Sequence, residues 1–179
     1  MSLGVPDAPL PEVCVCYLIA AGATASGDQV LLGRKKFGLG VGNLVGPGGK
    51  LEPGETPAEA MVREIAEETS VRVRSEDLQL VGELSYVFAH KPAWSQKSWV
   101  FVCRVFSGEP QESAELSPEW FPLDAIPTER MWHDARFWLA DALAGRFVTA
   151  RFDFGADLRT VVASDHPGFA PAPPSAIAG

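Results

Sequence analysis

The chain has 179 residues, of which 46% are hydrophobic and 21% are charged, and its formal net charge is −8. This length predicts one domain with a substantial core, and the acidic balance argues against a nucleic-acid polymer as partner, because no basic patch can displace counterions from its phosphates. The sequence has no signal-peptide pattern and no apolar run of membrane-spanning length, so we expect no membrane association and a cytoplasmic location.

The first regular elements are two predicted strands. Val13 to Ala21 is a continuous apolar run, typical of a strand buried on both faces, and Val30 to Lys36 predicts a second strand that forms a hairpin with it. Cys14 and Cys16 share a face of the first strand. With Cys103 they lack the paired spacing of a metal site, so we expect three reduced core residues.

A glycine-rich loop follows the hairpin. Residues 37–48 contain five glycines, which is too many for regular structure and suits a loop that wraps a ligand. Lys35 and Lys36 stand at its entrance, where an ammonium group could meet a phosphate or could simply solubilise the end of a strand.

A well-marked helix comes next. Thr56 is placed to cap it, Pro57 suits its first turn, and Glu59 completes a capping box. We therefore predict a helix from Pro57 to Thr69.

Three acidic side chains share one side of this helix. At the helical repeat, Glu64, Glu67 and Glu68 lie together beside an apolar arc made of Ala58, Met61, Val62, Ile65, Ala66 and Thr69. Like charges at this spacing cost roughly 0.2–0.5 kcal/mol per pair, so the cluster is best explained by a bound cation. Carboxylate oxygens without nearby Cys or His favour Mg²⁺ or Mn²⁺ over zinc.

The loop and the helix together carry a family resemblance. Gly49, Glu55 and the run Arg63 to Val71 resemble the Nudix box, G-x5-E-x7-R-E-U-x-E-E-x-G-U with U an aliphatic residue. Every prescribed position matches except the last glycine, which is Ser70 here. Serine would have to adopt the left-handed conformation that ends the helix, at a cost of roughly 1 kcal/mol.

The resemblance implies hydrolysis of a nucleoside diphosphate linked to another moiety, and it assigns roles to residues. The ligands of the metal would be the Gly49 carbonyl, Glu64, Glu67 and Glu68. Arg63 and Glu55 would pair and hold the loop against the helix. Either Glu67 or Glu68 is the expected general base, because a carboxylate near an apolar edge can have a raised pKa.

Two further strands are predicted from Leu78 to Ala89 and from Lys97 to Phe106. In the first of these, alternation places Leu84, Tyr86 and Phe88 on one face. An aromatic face of this kind is either core or a surface on which a purine stacks.

The remaining elements are shorter. Gly108 to Pro118 is an acidic loop before a short strand, Glu119 to Leu123, and Ala135 to Ala144 is the second predicted helix. Arg146 to Phe154 and Arg159 to Ala163 are predicted to pair as closing strands.

These elements predict one α/β domain over residues 13–163. Residues 1–12 would be a flexible lead-in, and residues 164–179, rich in Pro and Ala, a disordered tail. Strands scattered around two helices indicate a mixed sheet with a helix on each face, which agrees with the α/β/α sandwich implied by the Nudix resemblance.

From Val30 to about Phe154 the sequence is similar to the MutT-homologue branch of that family, which removes oxidised purine nucleoside triphosphates from the nucleotide pool. The similar blocks are Val30 to Lys36, Glu112 to Phe121, Leu123 to Pro127, Met131 to Asp134, and Phe137 with Trp138. This resemblance implies Mg²⁺-dependent cleavage of a nucleotide such as 8-oxo-dGTP to the monophosphate and pyrophosphate.

The same branch implies a base site and a phosphate site. Trp132 would stack on the base, Asp134 would read its edge, and Glu115 would face the metal. The other expected substrate contacts are Lys35 at the phosphates, Asn43 in the glycine loop, and the aromatic side chains of Tyr86 and Phe88. Trp138 is expected in the core.

Base recognition matches the branch only in part. His133 replaces a proline, Ala135 replaces a second aspartate, Val45 replaces an asparagine, and Leu39 replaces a phenylalanine. Each hydrogen bond lost from such a site is worth about 1–3 kcal/mol, so selectivity could be relaxed or redirected.

The alternatives are a Nudix pyrophosphatase for ADP-ribose, a dinucleoside polyphosphate or a nucleotide sugar, and a non-catalytic nucleotide sensor. The expected partner is a small nucleotide in each case, and the oligomeric state, monomer or dimer, stays open.

Overall fold

The computed structural model describes residues 8–22 and 27–171. The elements are β1 (Glu12–Ala20), β2 (Gln29–Lys35), β3 (Leu44–Val45), β4 (Gly48–Lys50), α1 (Pro57–Thr69), β5 (Gln79–Phe88), β6 (Gln96–Cys103), β7 (Leu116–Pro122), α2 (Ala135–Leu143), β8 (Val148–Phe154) and β9 (Val161–Ser164). Neither helix of this part of the chain is long and apolar enough to cross a membrane.

The strands form a mixed sheet in the order β3-β2-β1-β6-β5-β8-β9, with β4 paired to β1 and β7 to β2. The pairs β1–β6 and β5–β8 are parallel, and the other pairs are antiparallel. The predicted mixed sheet and the first hairpin are therefore confirmed.

One helix covers each face of the sheet. α1 packs through Met61 and Ile65 against the face that carries Cys14, Cys16 and Cys103, all three of them free and buried. α2 packs through Trp138 and Leu139 on the opposite face, together with Leu84, Phe88 and Phe152. Alternation along the strands sends neighbouring residues into two separate cores, which confirms the predicted α/β/α sandwich.

Helix α1 has the predicted bounds, but its buried side differs from the predicted apolar arc. The buried residues are Ala60, Met61, Glu64, Ile65, Glu68 and Thr69, whereas Ala66 is exposed. The helix is turned so that two of its carboxylates lie under the glycine loop.

Several boundaries differ from the predicted ones, and β6 ends at Cys103 rather than at Phe106. β7 begins at Leu116 rather than Glu119, because the end of the acidic loop pairs with the whole length of β2. The tail is ordered at its start: Ser164 belongs to β9 and His166 is buried, so the predicted disorder is wrong for residues 164–171. Residues 172–179 lie outside the described part, as do residues 1–7 of the predicted lead-in, and Glu12 already belongs to β1.

Candidate active site

A cavity of about 490 Å³ opens between the glycine loop and the sheet. It reaches from α1, which contributes Glu68, to the start of α2, which contributes Asp134 and Ala135. Strands β1, β5 and β6 form its floor, and Lys35 and Phe37 stand at the loop side. This volume lies in the range of small-molecule sites.

Glu68 is a buried carboxylate at the α1 end of the cavity, only 7% exposed. Its Oε2 accepts a hydrogen bond from the Gly48 N–H at 3.0 Å. Burial raises the pKa of Glu68 to about 7, and the nearby carboxylates of Glu64 and Glu115 act in the same direction. The charged form of this side chain is therefore destabilised until a cation joins it.

Glu64 is the second buried carboxylate. Desolvation raises its pKa even though Arg63 Nη1 donates to its Oε1 at 2.8 Å. Glu67 differs, because its side chain is mostly exposed and its Oε2 accepts from the same Arg63 nitrogen at 3.3 Å.

Arg63 ties the end of β4 and the loop that follows it to α1, and its predicted pair with Glu55 is present. Its Nε and Nη2 donate to the two carboxylate oxygens of Glu55 at 2.7 and 2.9 Å, and Nη2 also donates to the Lys50 carbonyl at 3.1 Å. These hydrogen bonds from Arg63 lower the pKa of Glu55 to about 2. A two-pronged pair of this kind fixes orientation as well as distance.

Gly49 lies directly against Glu64. A Cβ atom added at Gly49 would stand 2.5 Å from the Glu64 carboxyl carbon, so only glycine allows this approach. The Gly49 carbonyl accepts a weak hydrogen bond from Cys14 Sγ at 3.5 Å.

The donor set fits a hard divalent ion. Glu64 and Glu68 are desolvated carboxylates with raised pKa values, and the backbone of Gly49 lies directly against Glu64. Such oxygen ligands, with no thiolate or imidazole among the predicted ligands, are those that hard divalent ions prefer. The side chains of the predicted ligands do not converge on one point: within residues 8–22 and 27–171, no three acidic, His or Cys side chains lie close enough together to hold a metal ion.

The other charged residues of the loop side are placed as follows. Lys35 lines the cavity, and its ammonium group lowers the pKa of Glu68. Lys36 faces away and binds the Ser113 carbonyl at 2.6 Å and the Glu112 carboxylate. Glu115 is exposed, yet its charge acts on both Glu64 and Glu68.

Aromatic rings form the other end of the cavity. Trp132 packs edge to face against Phe88 and Phe154, with ring centroids 6.0 and 5.6 Å apart. Gly40, at φ +79°, lies so close to the indole that an added Cβ would stand 2.7 Å from its Nε1. The glycine loop therefore packs directly on Trp132.

Asp134 is buried at this end. Its Oδ2 accepts from Trp138 Nε1 at 2.7 Å, whereas Oδ1 has no hydrogen-bond partner among the described residues. Burial raises the pKa of Asp134, although the nearby Tyr86 hydroxyl opposes that shift. An unpartnered buried carboxylate oxygen is costly, so this end is built to meet a polar ligand atom.

Most of the predicted substrate residues line this cavity: Lys35, Tyr86, Phe88, Trp132 and Asp134. Asn43 does not, because its backbone is held in the loop turn, where its carbonyl accepts from Lys35 N–H and its N–H donates to Gly40. Trp138 was predicted as core; it is buried in the core and also touches the cavity.

Among the lining residues that were not predicted from the sequence, two are polar positions on one face of β6, Gln96 and Ser98. They alternate with Lys97 on β6 and share a face with Val100 and Val102. The sequence does contain a signal for them: two polar residues continue the face of β6 that is otherwise apolar, which indicates that this face leaves the core and borders a polar space.

The chain resembles known proteins over most of its length. A family model described as NUDIX domain matches residues 16–142. The oxidized purine nucleoside triphosphate hydrolase of Mus musculus is 36% identical over 127 residues, which cover 71% of this chain and 80% of that protein. The human 8-oxo-dGDP phosphatase NUDT18 is 33% identical over 137 residues, covering 73% of this chain and 40% of that protein.

Comparison with solved structures points to the same family. The crystal structure of a MutT protein from Bacillus halodurans superposes with a TM-score of 0.70 at 26% identity, covering 87% of this chain and 96% of the other. With the motif, the sandwich and the buried carboxylates in place, these matches show that the chain is a hydrolase of the Nudix family.

Proposed function

We propose that this hydrolase cleaves an oxidised purine nucleoside triphosphate, such as 8-oxo-dGTP, to the monophosphate and pyrophosphate with Mg²⁺ or Mn²⁺. One observation carries the proposal: a single cavity joins the desolvated Glu68 and the Lys35 ammonium to an aromatic end that holds Trp132 and Asp134. The Oδ1 atom of Asp134 has no hydrogen-bond partner among the described residues. A base and a phosphate chain fit these two ends by their chemistry.

Nudix hydrolases generally use divalent ions, and Glu64, Glu67, Glu68 and the Gly49 carbonyl would hold one here, with Glu115 facing it. The bound ion would neutralise phosphate charge and activate water. To join the set, Glu67 would exchange its contact with Arg63 for the ion, since Arg63 keeps its stronger pair with Glu55.

The chain's own groups have separate tasks in this reaction. Lys35 places an ammonium group at the phosphates, and Arg63 orients Glu64 and the loop. Of the two predicted bases, Glu68 is favoured over Glu67, because the Glu68 carboxylate lines the cavity whereas the Glu67 side chain is mostly exposed.

The base would lie between Trp132 and the sheet. Asp134, with its raised pKa, holds a proton more readily than an exposed aspartate and can donate it to a ring acceptor. A purine that carries an extra oxo group offers more hydrogen-bonding atoms to such a site than an unmodified one.

A diphosphate substrate is the second candidate, because the human relative is named an 8-oxo-dGDP phosphatase. The two candidates differ in the released group, which is pyrophosphate for the triphosphate and orthophosphate for the diphosphate.

The test is a panel of 8-oxo-dGTP, 8-oxo-dGDP, dGTP, dATP, ADP-ribose and a dinucleoside polyphosphate, ranked by kcat/KM with separate detection of pyrophosphate and orthophosphate. We expect 8-oxo-dGTP to rank first and to release pyrophosphate. A first rank for ADP-ribose or the dinucleoside polyphosphate would overturn the proposal.

A further inference from the structure

The floor of the cavity has one polar strip on an otherwise apolar face. Along β6, Val100 and Val102 belong to the core beneath α2, and the same face continues with Ser98 and Gln96. Ser98 is 3% exposed, so the strip begins inside the protein and leads outward along the cavity.

The polar neighbours of this strip are already engaged within the protein. The Ser95 hydroxyl accepts from the Phe88 N–H at 2.9 Å, and Lys97 pairs with Glu83 at 3.2 Å. The side chains of Gln96 and Ser98 form no such bond with the described residues, and both line the cavity. Partly buried polar groups without protein partners are expected to meet a ligand or water.

The strip continues onto the next strand. Gln96 stands opposite Tyr86 in the β5–β6 register, and the Tyr86 hydroxyl lies near the buried Asp134. Three hydrogen-bonding side chains thus follow one another across the aromatic end of the cavity, from Gln96 through Tyr86 to Asp134.

Two positions of the cavity lining carry side chains that cannot form a hydrogen bond, Val45 from β3 and Ala135 at the start of α2. Hydrogen-bond selection of a base at this site therefore depends on the polar side chains of the lining, among them Gln96, Tyr86 and Asp134.

We propose that Gln96 is a specificity-determining residue, whose carboxamide pairs with a base edge that carries a donor and an acceptor side by side. The N–H and C=O of a lactam in an oxopurine form such an edge. This inference rests on the proposed function, because it names the chemistry that selects the base at that same site.

The carboxamide suits this task because it offers one donor group and one acceptor about as far apart as the two atoms of a lactam. A site that forms such a pair rejects a base lacking it, since its own groups are then left unpaired. Ser98 and Tyr86 line the cavity beside Gln96, Ser98 two residues further along β6 and Tyr86 opposite Gln96 in the β5–β6 register.

The test measures binding without relying on turnover. Dissociation constants of 8-oxo-dGMP, dGMP, dAMP and dCMP are measured calorimetrically for the wild-type protein and for Gln96→Met, which keeps the side-chain length but loses both hydrogen bonds. We expect the preferred monophosphate to bind about 10- to 100-fold more weakly to Gln96→Met, with a smaller spread among the four bases.

A second variant, Gln96→Glu, tests whether the donor and the acceptor of the carboxamide determine which base is preferred. In Gln96→Glu the carboxylate accepts but does not donate, so preference should move toward a base edge with two donors, as guanine presents through its ring N–H and amino group. The matched control is Gln79→Met on the exposed start of β5, which should leave all four dissociation constants unchanged.

Steady-state kinetics distinguish recognition of the base by Gln96 from a structural role of this residue. For the preferred triphosphate, Gln96→Met should raise KM with little change in kcat. Equal weakening for all four bases, or an unchanged ranking in both Gln96 variants, would overturn the inference. Base-selective binding by a wild-type protein that hydrolyses no triphosphate would instead overturn only the proposed function.

Discussion

At the scale of single residues, the site is marked by carboxylates that are unfavourable where they stand. Burial raises the pKa values of Glu64 and Glu68, although Arg63 pairs with Glu64 and the Lys35 ammonium acts on Glu68 in the opposite direction. A side chain that destabilises the folded protein yet completes a cavity is typical of a functional site rather than of a structural one. A divalent ion would offset this cost.

The first prediction concerns Glu68 in protein freed of metal by a chelator. Its pKa is about 7 in the folded protein, against 4.5 for an unperturbed glutamate, so the folded protein holds a proton that the unfolded chain loses between these values. Stability attributable to Glu68 is therefore lost as pH rises from about 4.5 to 7. Glu68→Gln should be about 2–3 kcal/mol more stable than wild type at pH 8, and the difference should shrink toward pH 4.5.

Urea unfolding at both pH values measures this difference. Glu109→Gln, at an exposed loop position, is the control and should match wild type at each pH. Added Mn²⁺ should stabilise wild type more than Glu68→Gln. Equal stability of Glu68→Gln and wild type at pH 8 would show that the carboxylate is not destabilised by its surroundings.

At the scale of elements, helix α1 with its preceding loop is the unit that positions the acids. The capping box fixes its first turn, since the Thr56 hydroxyl accepts from the Glu59 N–H and the Glu59 carboxylate accepts from the Thr56 N–H. The Arg63–Glu55 pair then holds the loop on the helix. The segment before α1 is therefore fixed to the helix at the end of the cavity that holds Glu68.

The end of this helix gives the second prediction. Ser70 adopts a left-handed conformation with φ 64°, the position at which the family motif has glycine. Ser70→Gly should raise the free energy of unfolding by about 0.5–1 kcal/mol, because it relieves that conformation. The measurement is urea unfolding at saturating Mg²⁺, with kcat expected to be unchanged.

The control for this change is Ser75→Gly, at the start of a 3₁₀ turn outside the left-handed region. Glycine there should be neutral or destabilising, since it only adds freedom to the unfolded chain. Destabilisation by Ser70→Gly would mean that the serine makes a contact that compensates for its backbone.

Elements set by local signals were predictable from sequence, whereas the bounds of a strand that depend on a distant partner were not. The bounds of α1 followed from Thr56, Pro57 and Glu59, all within one turn. The first three residues of β7, beginning at Leu116, join the sheet because β2 offers a partner far away in the sequence. The carboxylates were found by motif spacing, whereas Gln96 was missed because its role depends on which face of β6 borders the cavity.

At the scale of the whole molecule, the chain beyond β9 closes the core behind α2. The Asp165 carboxylate accepts from the Arg151 N–H at 2.7 Å, His166 stacks on Phe152, and Phe169 packs edge to face on Phe137. Disorder was predicted here from the Pro- and Ala-rich composition alone. The segment is ordered because it packs on β8 and α2, which the composition of the segment does not reveal.

The third prediction tests this closing segment. A chain ending at residue 164 exposes Phe137 and Phe152 and should lose roughly 2–4 kcal/mol of stability, comparable with removal of a large core side chain. A chain ending at residue 171 keeps these contacts and serves as the control. Thermal and urea unfolding measure both, and equal stability of the two shortened chains would contradict the assigned packing.

The central claim is that acidic side chains of α1 hold a divalent ion against the phosphates of a nucleotide in the cavity. The most direct measurement is the rate of 8-oxo-dGTP hydrolysis as a function of Mg²⁺ for wild type, Glu64→Gln, Glu67→Gln, Glu68→Gln and the control Glu109→Gln. We predict no turnover after chelation and its recovery with Mg²⁺, with kcat at saturating Mg²⁺ reduced at least ~10²-fold in Glu64→Gln and Glu68→Gln and unchanged in Glu109→Gln. Near-normal turnover in all three acid variants, or full activity without any divalent ion, would contradict the claim.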